Sequence, residues 1–313
     1  MPRAAKTPSA NEKDILKLIP ASEHRPQLKG IRLGIHASTA GGVETSAERA
    51  WRLGCNALQI FSSSPRMWKP FDVSAAQCET MLRLRHEYDL RPLVIHANYL
   101  INVAGASAEI TEKSIGALRA EMERAIALKA EYVVLHPGSF RGLSREEGLA
   151  NATAAIARAA DGLEMAANGL TLLIENTAGA EFSLGSSFES VAELIAALKK
   201  IIPTAACIDT CHTHVKGYDL VTEAGYAETM QLLDSTVGLP EVRVWHCNDA
   251  KAARGSKLDR HENIGQGTMG LEPFRRLLND PRNRHAAFLL ETPIDAPLDD
   301  LKNIEILKSV VKP

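Results

Sequence analysis

Apolar runs that stop at an acid or a histidine recur along this chain. Ala206-Cys207-Ile208 ends at Asp209, and His212 follows three residues later. Similar runs end at His36, His96, His136, Glu175, His246 and Glu291. One such ending carries little information. Seven of them point to strands that all deliver polar groups to one end of a sheet. The pattern predicts strands at 31–36, 57–62, 92–97, 132–137, 171–176, 205–210, 242–247 and 287–292. These runs are nearly continuous in apolar residues rather than alternating, as expected of parallel strands covered on both faces.

Helical patterns lie between them, at 45–53, 74–88, 111–129, 144–168, 187–201, 222–233 and 271–278, with a last one at 301–311. Ser74 and Ser144, the latter with Glu147 three residues on, are capping-type starts. Gly54 and Gly169 stand at helix ends. Eight strand–helix units make a (β/α)8 TIM barrel the economical α/β architecture. A doubly wound open sheet would gather its ligands at one switch point, whereas here donors close nearly every strand. Residues 1–30 are polar and proline-punctuated, with a short helix expected at 11–19. They read as a loosely ordered N-terminal extension of a single catalytic domain at 31–313.

Bulk composition narrows the class only a little. Apolar content of 45% and charged content of 24% are those of a soluble globular protein. No apolar run approaches the roughly 20 residues of a membrane span, and the N-terminus has no signal-peptide core, so no membrane partner is expected. The five cysteines form no CxxC pair, which fits reduced thiols in a cytoplasm. The net charge of -2 neither announces nor excludes a nucleic-acid binder, because metal ions can supply the positive charge that phosphate needs.

In a TIM barrel the strand ends converge on one mouth. His36, His96, His136, Glu175, Asp209, His212, His246 and Glu291 would meet there, joined by the D-x-H pair Asp259 and His261. Imidazole and carboxylate without thiolate suit zinc or manganese, and the histidine-rich set leans toward zinc. Any one of these histidines alone reads as a hydrogen-bonded structural residue; together they exceed what a barrel mouth needs. Cys211 and Cys247 each adjoin a better donor and would face the other way, so both read as packing. Without His36, five neutral histidines and four carboxylates give -4. A single zinc would use only about three or four of them. Three zincs would leave about +2, a charge suited to a phosphodiester.

At these residues the chain resembles the endonuclease IV family of abasic-site DNA repair nucleases. The resemblance rests on LGIHASTAGG (33–42), HANYLIN (96–102), LHPGS (135–139), LIENTAG (173–179), CIDTCH (207–212), GYDL (217–220), WHCNDAK (245–251), GSKLDRHENIGQG (255–267) and LLET (289–292). It implies a TIM barrel holding three Zn2+, with Mn2+ an alternative at one position. By that resemblance His96 and His136 bind one zinc, and Glu175 bridges it to a second completed by Asp209, His246 and Glu291. His212, Asp259 and His261 would hold the third. Glu175 would also be catalytic, activating water. Arg66, Tyr99 and Leu100 match positions that enter the duplex beside a flipped-out nucleotide, although from the bare sequence they read equally as a surface charge and loop packing.

The implied substrates are double-stranded DNA with abasic sites or blocked 3′ ends, and a monomer is expected. The chain departs from the family pattern at Asn98, Phe140, Gln266 and Pro65, none of them a zinc ligand. The competing readings are a xylose-isomerase-like sugar isomerase or epimerase, which has no use for a third metal set, and a lesion binder without turnover.

Overall fold

A computed structural model describes residues 14–21, 30–69 and 71–312. The first strand, β1 (Arg32–His36), is followed by helix α2 (Thr45–Arg52), and the alternation continues through β2 (Ala57–Ile60), α3 (Ala75–Glu87), β3 (Leu93–His96), α4 (Ala108–Ala127), β4 (Tyr132–Leu135), α5 (Arg145–Ala160), β5 (Thr171–Glu175), α6 (Phe188–Leu198) and β6 (Thr204–Asp209). Helices α7 (Thr210–Lys216) and α8 (Glu223–Thr236) lead to β7 (Val242–His246). A small hairpin, β8 (Asp249–Ala250) with β9 (His261–Glu262), precedes α9 (Glu272–Asn279), β10 (Ala287–Leu290) and α10 (Asp299–Val310). The short α1 (Ile15–Leu18) stands before them all.

Eight parallel strands close into a barrel in the order β1-β2-β3-β4-β5-β6-β7-β10, with β10 pairing back to β1. The fold is the expected TIM barrel. Strand positions alternate between two cores. Ala57, Val94, Val134, Leu173, Ala205, Cys207, Val244, Ala287 and Leu289 fill the barrel interior. The intervening residues, such as Leu58, Ile95, Val133 and Ile208, belong to the larger core under the helices. Each strand is thus buried on both faces, which is why its sequence does not alternate. On β1 a Cβ at Gly34 would lie 2.0 Å from the Ala57 carbonyl oxygen, so only glycine lets β1 sit this close to β2.

Helix starts follow their caps. Ser74 and Ser144 make complete capping boxes with Gln77 and Glu147. α4 begins earlier than the pattern predicts because Ser107 caps it through the Ile110 amide. α5 ends at Ala160 rather than running to 168. Gly162 there takes a left-handed φ of +72°, and Arg119 donates to the terminal carbonyls of Ala159 and Asp161 at 3.3 and 2.8 Å.

Of the N-terminal extension, residues 14–21 are seated on the barrel. Ile15 and Ile19 are buried. Asp14 pairs with Arg49 of α2 at 2.9 Å, and Arg52 donates to the Leu16 and Ile19 carbonyls. The helix expected at 11–19 covers Ile15–Leu18, and residues 11–13 lie outside the described residues. Among the described residues no helix is long and apolar enough to cross a membrane.

Candidate metal centre

The strand ends carry the expected donors to one mouth. His36, His96, Glu175, Asp209 and His246 close β1, β3, β5, β6 and β7, while His136 and Glu291 stand one residue past β4 and β10. Asp209 does two things: its side chain caps α7 by accepting from the His212 amide at 2.8 Å, which turns the chain sharply enough to bring His212 back to the mouth. The β8–β9 hairpin brings Asp259 and His261 in from the side. It is folded by buried Asp249, which accepts from the amides of Ala250, Gly265, Gly267 and Met269 at 2.7 to 3.1 Å.

Glu175, fully buried, is the centre of the group. Its Oε2 lies 2.9 Å from His136 Nε2 and 3.4 Å from His96 Nε2. Its Oε1 lies 2.9 Å from Nδ1 of His246, which is 3.3 Å from Oε2 of Glu291. Asp259 reaches Nε2 of His212 at 3.2 Å and Nε2 of His261 at 3.3 Å. The donor atoms fall into three adjoining sets: His96, His136 and Glu175; Glu175, Asp209, His246 and Glu291; and His212, Asp259 and His261, the atoms of each within 4.8 Å of one another. A cavity of about 290 Å³ opens over them. His36 joins none of these sets; its Nδ1 lies against Glu291 and Gln59 instead.

The imidazoles are oriented for metal. Nδ1 of His96, His212 and His261 lies 2.8, 2.8 and 3.1 Å from the carbonyl oxygens of Ala97, Asn176 and Glu291. A carbonyl only accepts, so Nδ1 carries the hydrogen and a neutral ring offers the Nε2 lone pair to the mouth. Glu175 Oε2 and His261 Nε2 are buried, and their polar neighbours, His136 at 2.9 Å and Asp259 at 3.3 Å, do not meet them in good hydrogen-bond alignment, an arrangement that suits a cation between the groups.

Charge points the same way. Burial works against a charged imidazole, yet Asp209 and Asp259 push His212 up to about 10 and His261 up to about 9. Burial likewise opposes ionisation of Glu175, but His136 and His246 hold it well below the usual carboxylate range. The site demands positive charge, and oxygen-and-imidazole sets of this size fit zinc-type ions. Cys211 and Cys207 also come within reach of donor groups. Burial pushes the Cys207 thiol up to about 12 and that of Cys211 higher still, so neither is charged in the metal-free chain, and both pack within the apolar cores.

Three buried amides that the sequence reading passed over hold the donors. Asn176 accepts from the Asp209 amide at 2.7 Å. Asn248 donates to Asp209 Oδ2 at 2.6 Å and accepts from the Glu291 amide at 2.8 Å. Gln59 touches both Glu291 and His246. The available signal was position: Asn176 and Asn248 follow strand-end donors, and Gln59 interrupts the apolar run of β2.

Beside the mouth, Arg66 is exposed, Tyr99 is 57% exposed and Leu100 is half-buried. The Tyr99 ring stands edge-on to Phe61 and His96. Asn98 donates to the Ser64 and Met67 carbonyls, and the Pro65 carbonyl accepts from the Tyr99 amide, so two of the departing residues join the loops that carry Arg66 and Tyr99. Phe140 packs edge-on to Phe182, and Gln266 is exposed.

A family model described as a xylose isomerase-like TIM barrel matches residues 47–310. The probable endonuclease 4 of Solibacter usitatus is 46% identical over 283 residues, covering 90% of this chain and 97% of the relative. The crystal structure of endonuclease IV from Thermus thermophilus superposes with a TM-score of 0.78 at 38% identity, covering 89% of this chain and 98% of that one. A D-tagatose 3-epimerase-like protein, at 21% identity and a TM-score of 0.67 over 90% of this chain and 97% of its own, shares the fold alone. The chain belongs to the endonuclease IV family, the metal-dependent hydrolases of DNA repair that act at apurinic/apyrimidinic sites.

Proposed function

We propose that this chain hydrolyses the phosphodiester on the 5′ side of an abasic site in duplex DNA, leaving a 3′-hydroxyl and a 5′-deoxyribose phosphate. We assign it three zinc ions, with manganese an alternative at one position, held by the nine donors His96, His136, Glu175, Asp209, His212, His246, Asp259, His261 and Glu291. It would work as a monomer in the cytoplasm and would also trim blocked 3′ ends. The observation that carries this reading is the gathering of those donors into three adjoining sets that share Glu175 between two of them.

When bound, the zinc ions neutralise the carboxylates and supply the positive charge that draws a phosphodiester and activates water. The chain's own groups do the rest. Glu175, ionised and fully buried, orients the attacking water and takes its proton. The carbonyl contacts on Nδ1 of His96, His212 and His261 hold these rings in place, so no reorganisation is needed during reaction. Tyr99 and Leu100 enter the duplex beside the lesion, and Arg66 fills the gap left by the missing base. The missing base lowers the cost of extruding the nucleotide, and this contributes to selectivity.

The test is a duplex with one synthetic abasic site, incubated with the protein, with the chelated protein, and with the protein reloaded with zinc. A nick 5′ to the lesion that chelation abolishes and zinc restores is expected. An uncut duplex with fully loaded protein would remove the proposal.

A further inference from the structure

Gln59 is a fully buried amide beneath the donor mouth. It faces inward from β2, whose Ala57 belongs to the barrel interior while Leu58 and Ile60 face the helices. Its Nε2 lies 2.6 Å from Oε1 of Glu291 and 3.0 Å from Nδ1 of His36. Its Oε1 lies 2.8 Å from Nε2 of His246.

For the neutral His246 that a metal ion requires, these contacts set which ring nitrogen carries the hydrogen. An ionised carboxylate only accepts, so the amide nitrogen must face Glu291. The amide oxygen then faces His246 Nε2, which must donate. A neutral imidazole has one N–H, so Nδ1 of His246 is left with its lone pair. That is the atom directed at Glu175 and Glu291, 2.9 and 3.3 Å away. His246 thus offers metal the opposite nitrogen from His96, His212 and His261, whose Nδ1 hydrogens go to backbone carbonyls. Gln59 does for His246 what the backbone does for the others. His36 stands beside this pair, its Nδ1 3.0 Å from Gln59 Nε2 and 3.3 Å from Glu291 Oε1, and stays outside the donor sets.

We infer that Gln59 is the positioning residue of the set formed by Glu175, Asp209, His246 and Glu291: it fixes His246 as the Nε2–H tautomer and aims Glu291, and through them it retains one metal ion of the cluster. The inference rests on the metal-site reading above but not on the identity of the substrate.

The experiment uses the full-length zinc-loaded chain and its Gln59→Leu variant, with zinc release to EDTA followed by a chromogenic indicator. Leucine has similar bulk and no polar atoms. Losing a contact of this kind typically weakens metal retention by about 10- to 100-fold. The expected result is that one zinc leaves the variant faster by that factor while the others leave at wild-type rates. Wild-type release of every ion, or equal acceleration of all of them, overturns the inference, because a general loosening of the barrel would not select one site. A second measurement needs no variant: long-range 15N–1H spectra of the zinc-loaded wild type should show His246 protonated at Nε2, and protonation at Nδ1 overturns the inference even if Gln59→Leu does not fold. Cleavage of abasic duplex by the same wild-type sample is scored separately. Its failure would remove the repair reading and leave the zinc result standing.

Discussion

The side-chain amide of Asn98 donates to the carbonyl oxygen of Met67 at 2.7 Å. It also donates to the Ser64 carbonyl at 3.1 Å and accepts from the Leu100 amide at 2.7 Å. One side chain therefore fixes the loop that carries Arg66 to the turn that carries Tyr99 and Leu100. Asn98→Ala should release both loops without touching a metal donor. With roughly 1 kcal/mol for each lost hydrogen bond, KM for abasic duplex should rise about tenfold or more, with zinc content unchanged. Steady-state kinetics beside elemental analysis check this, and an unchanged KM would show that the loops hold their places independently.

Tyr99 is 57% exposed, its ring supported edge-on by Phe61 and His96 at centroid distances of 5.2 and 5.5 Å. A large aromatic side chain held in water beside a polar mouth is available for stacking. Tyr99→Ala should weaken abasic-duplex binding by about 5- to 150-fold, since stacking contributes about 1–3 kcal/mol per base. Equal binding by mutant and wild type in a fluorescence titration would make this side chain mere loop packing.

Much of this site could be read from the strand ends. In a closed parallel barrel every strand points the same way, so an apolar run that stops at His96, Glu175 or His246 has its donor's position settled by topology. Asp259 and His261 were legible only as a D-x-H spacing, because a hairpin inserted after β7 brings them in. α7 escaped the hydrophobic pattern since Thr210–Lys216 is too short and too polar to show a helical period, and its start is encoded in Asp209, a residue already accounted for as a donor. Gln59, Asn176 and Asn248 escaped because a single amide in an apolar run looks alike whether it braces a ligand or the backbone. Which nitrogen each histidine offers depends on atoms from distant segments, such as Gln59 and His246, 187 residues apart.

Glu175 lies between two donor sets with no exposed surface. Replacing it by glutamine keeps the shape but removes the charge that His136 and His246 face. Turnover of Glu175→Gln should fall by several orders of magnitude while DNA binding largely survives, because the side chain is buried below the surface that meets the duplex. Single-turnover cleavage with a parallel binding assay tests this, and near-normal cleavage would exclude Glu175 as the base.

Asp14 ties the N-terminal turn to α2 by a paired contact with Arg49, at 2.9 and 3.2 Å. Arg49 also donates to the carbonyls of Ser38 and Ala40 just past β1. The Arg49 hydrogen bond holds the Asp14 carboxyl below its usual range, against burial. A lowered folded pKa means that this contribution to stability is present above the unfolded value, about 3.9, and is lost as pH falls through the folded one. Asp14→Asn should cost about 1–2 kcal/mol near neutral pH. The cost should shrink in acid, which thermal melts at pH 7 and pH 3 would show. Equal destabilisation at both would mean that the charge plays no part.

Zinc and protons compete for the same lone pairs. In the metal-free chain, burial disfavours charge on His212 and His261, but Asp209 and Asp259 push them up to about 10 and about 9. Both rings are therefore protonated at pH 7 before metal arrives, and each must lose its charge to bind. Filling this set at pH 7 should release about two protons, and its apparent affinity should rise steeply with pH until it levels off near pH 9 to 10. The stability of the metal-free protein should run the other way. Histidines with raised pKa contribute fully below their unfolded value of about 6.5 and lose that contribution as pH climbs through 9 and 10. Raising the pH should thus weaken the empty protein while strengthening its hold on zinc. Calorimetric titrations at pH 7 in buffers of different ionisation enthalpy count the protons directly. Heats that do not change with the buffer would show that these histidines are already neutral and that something other than protons balances the carboxylates.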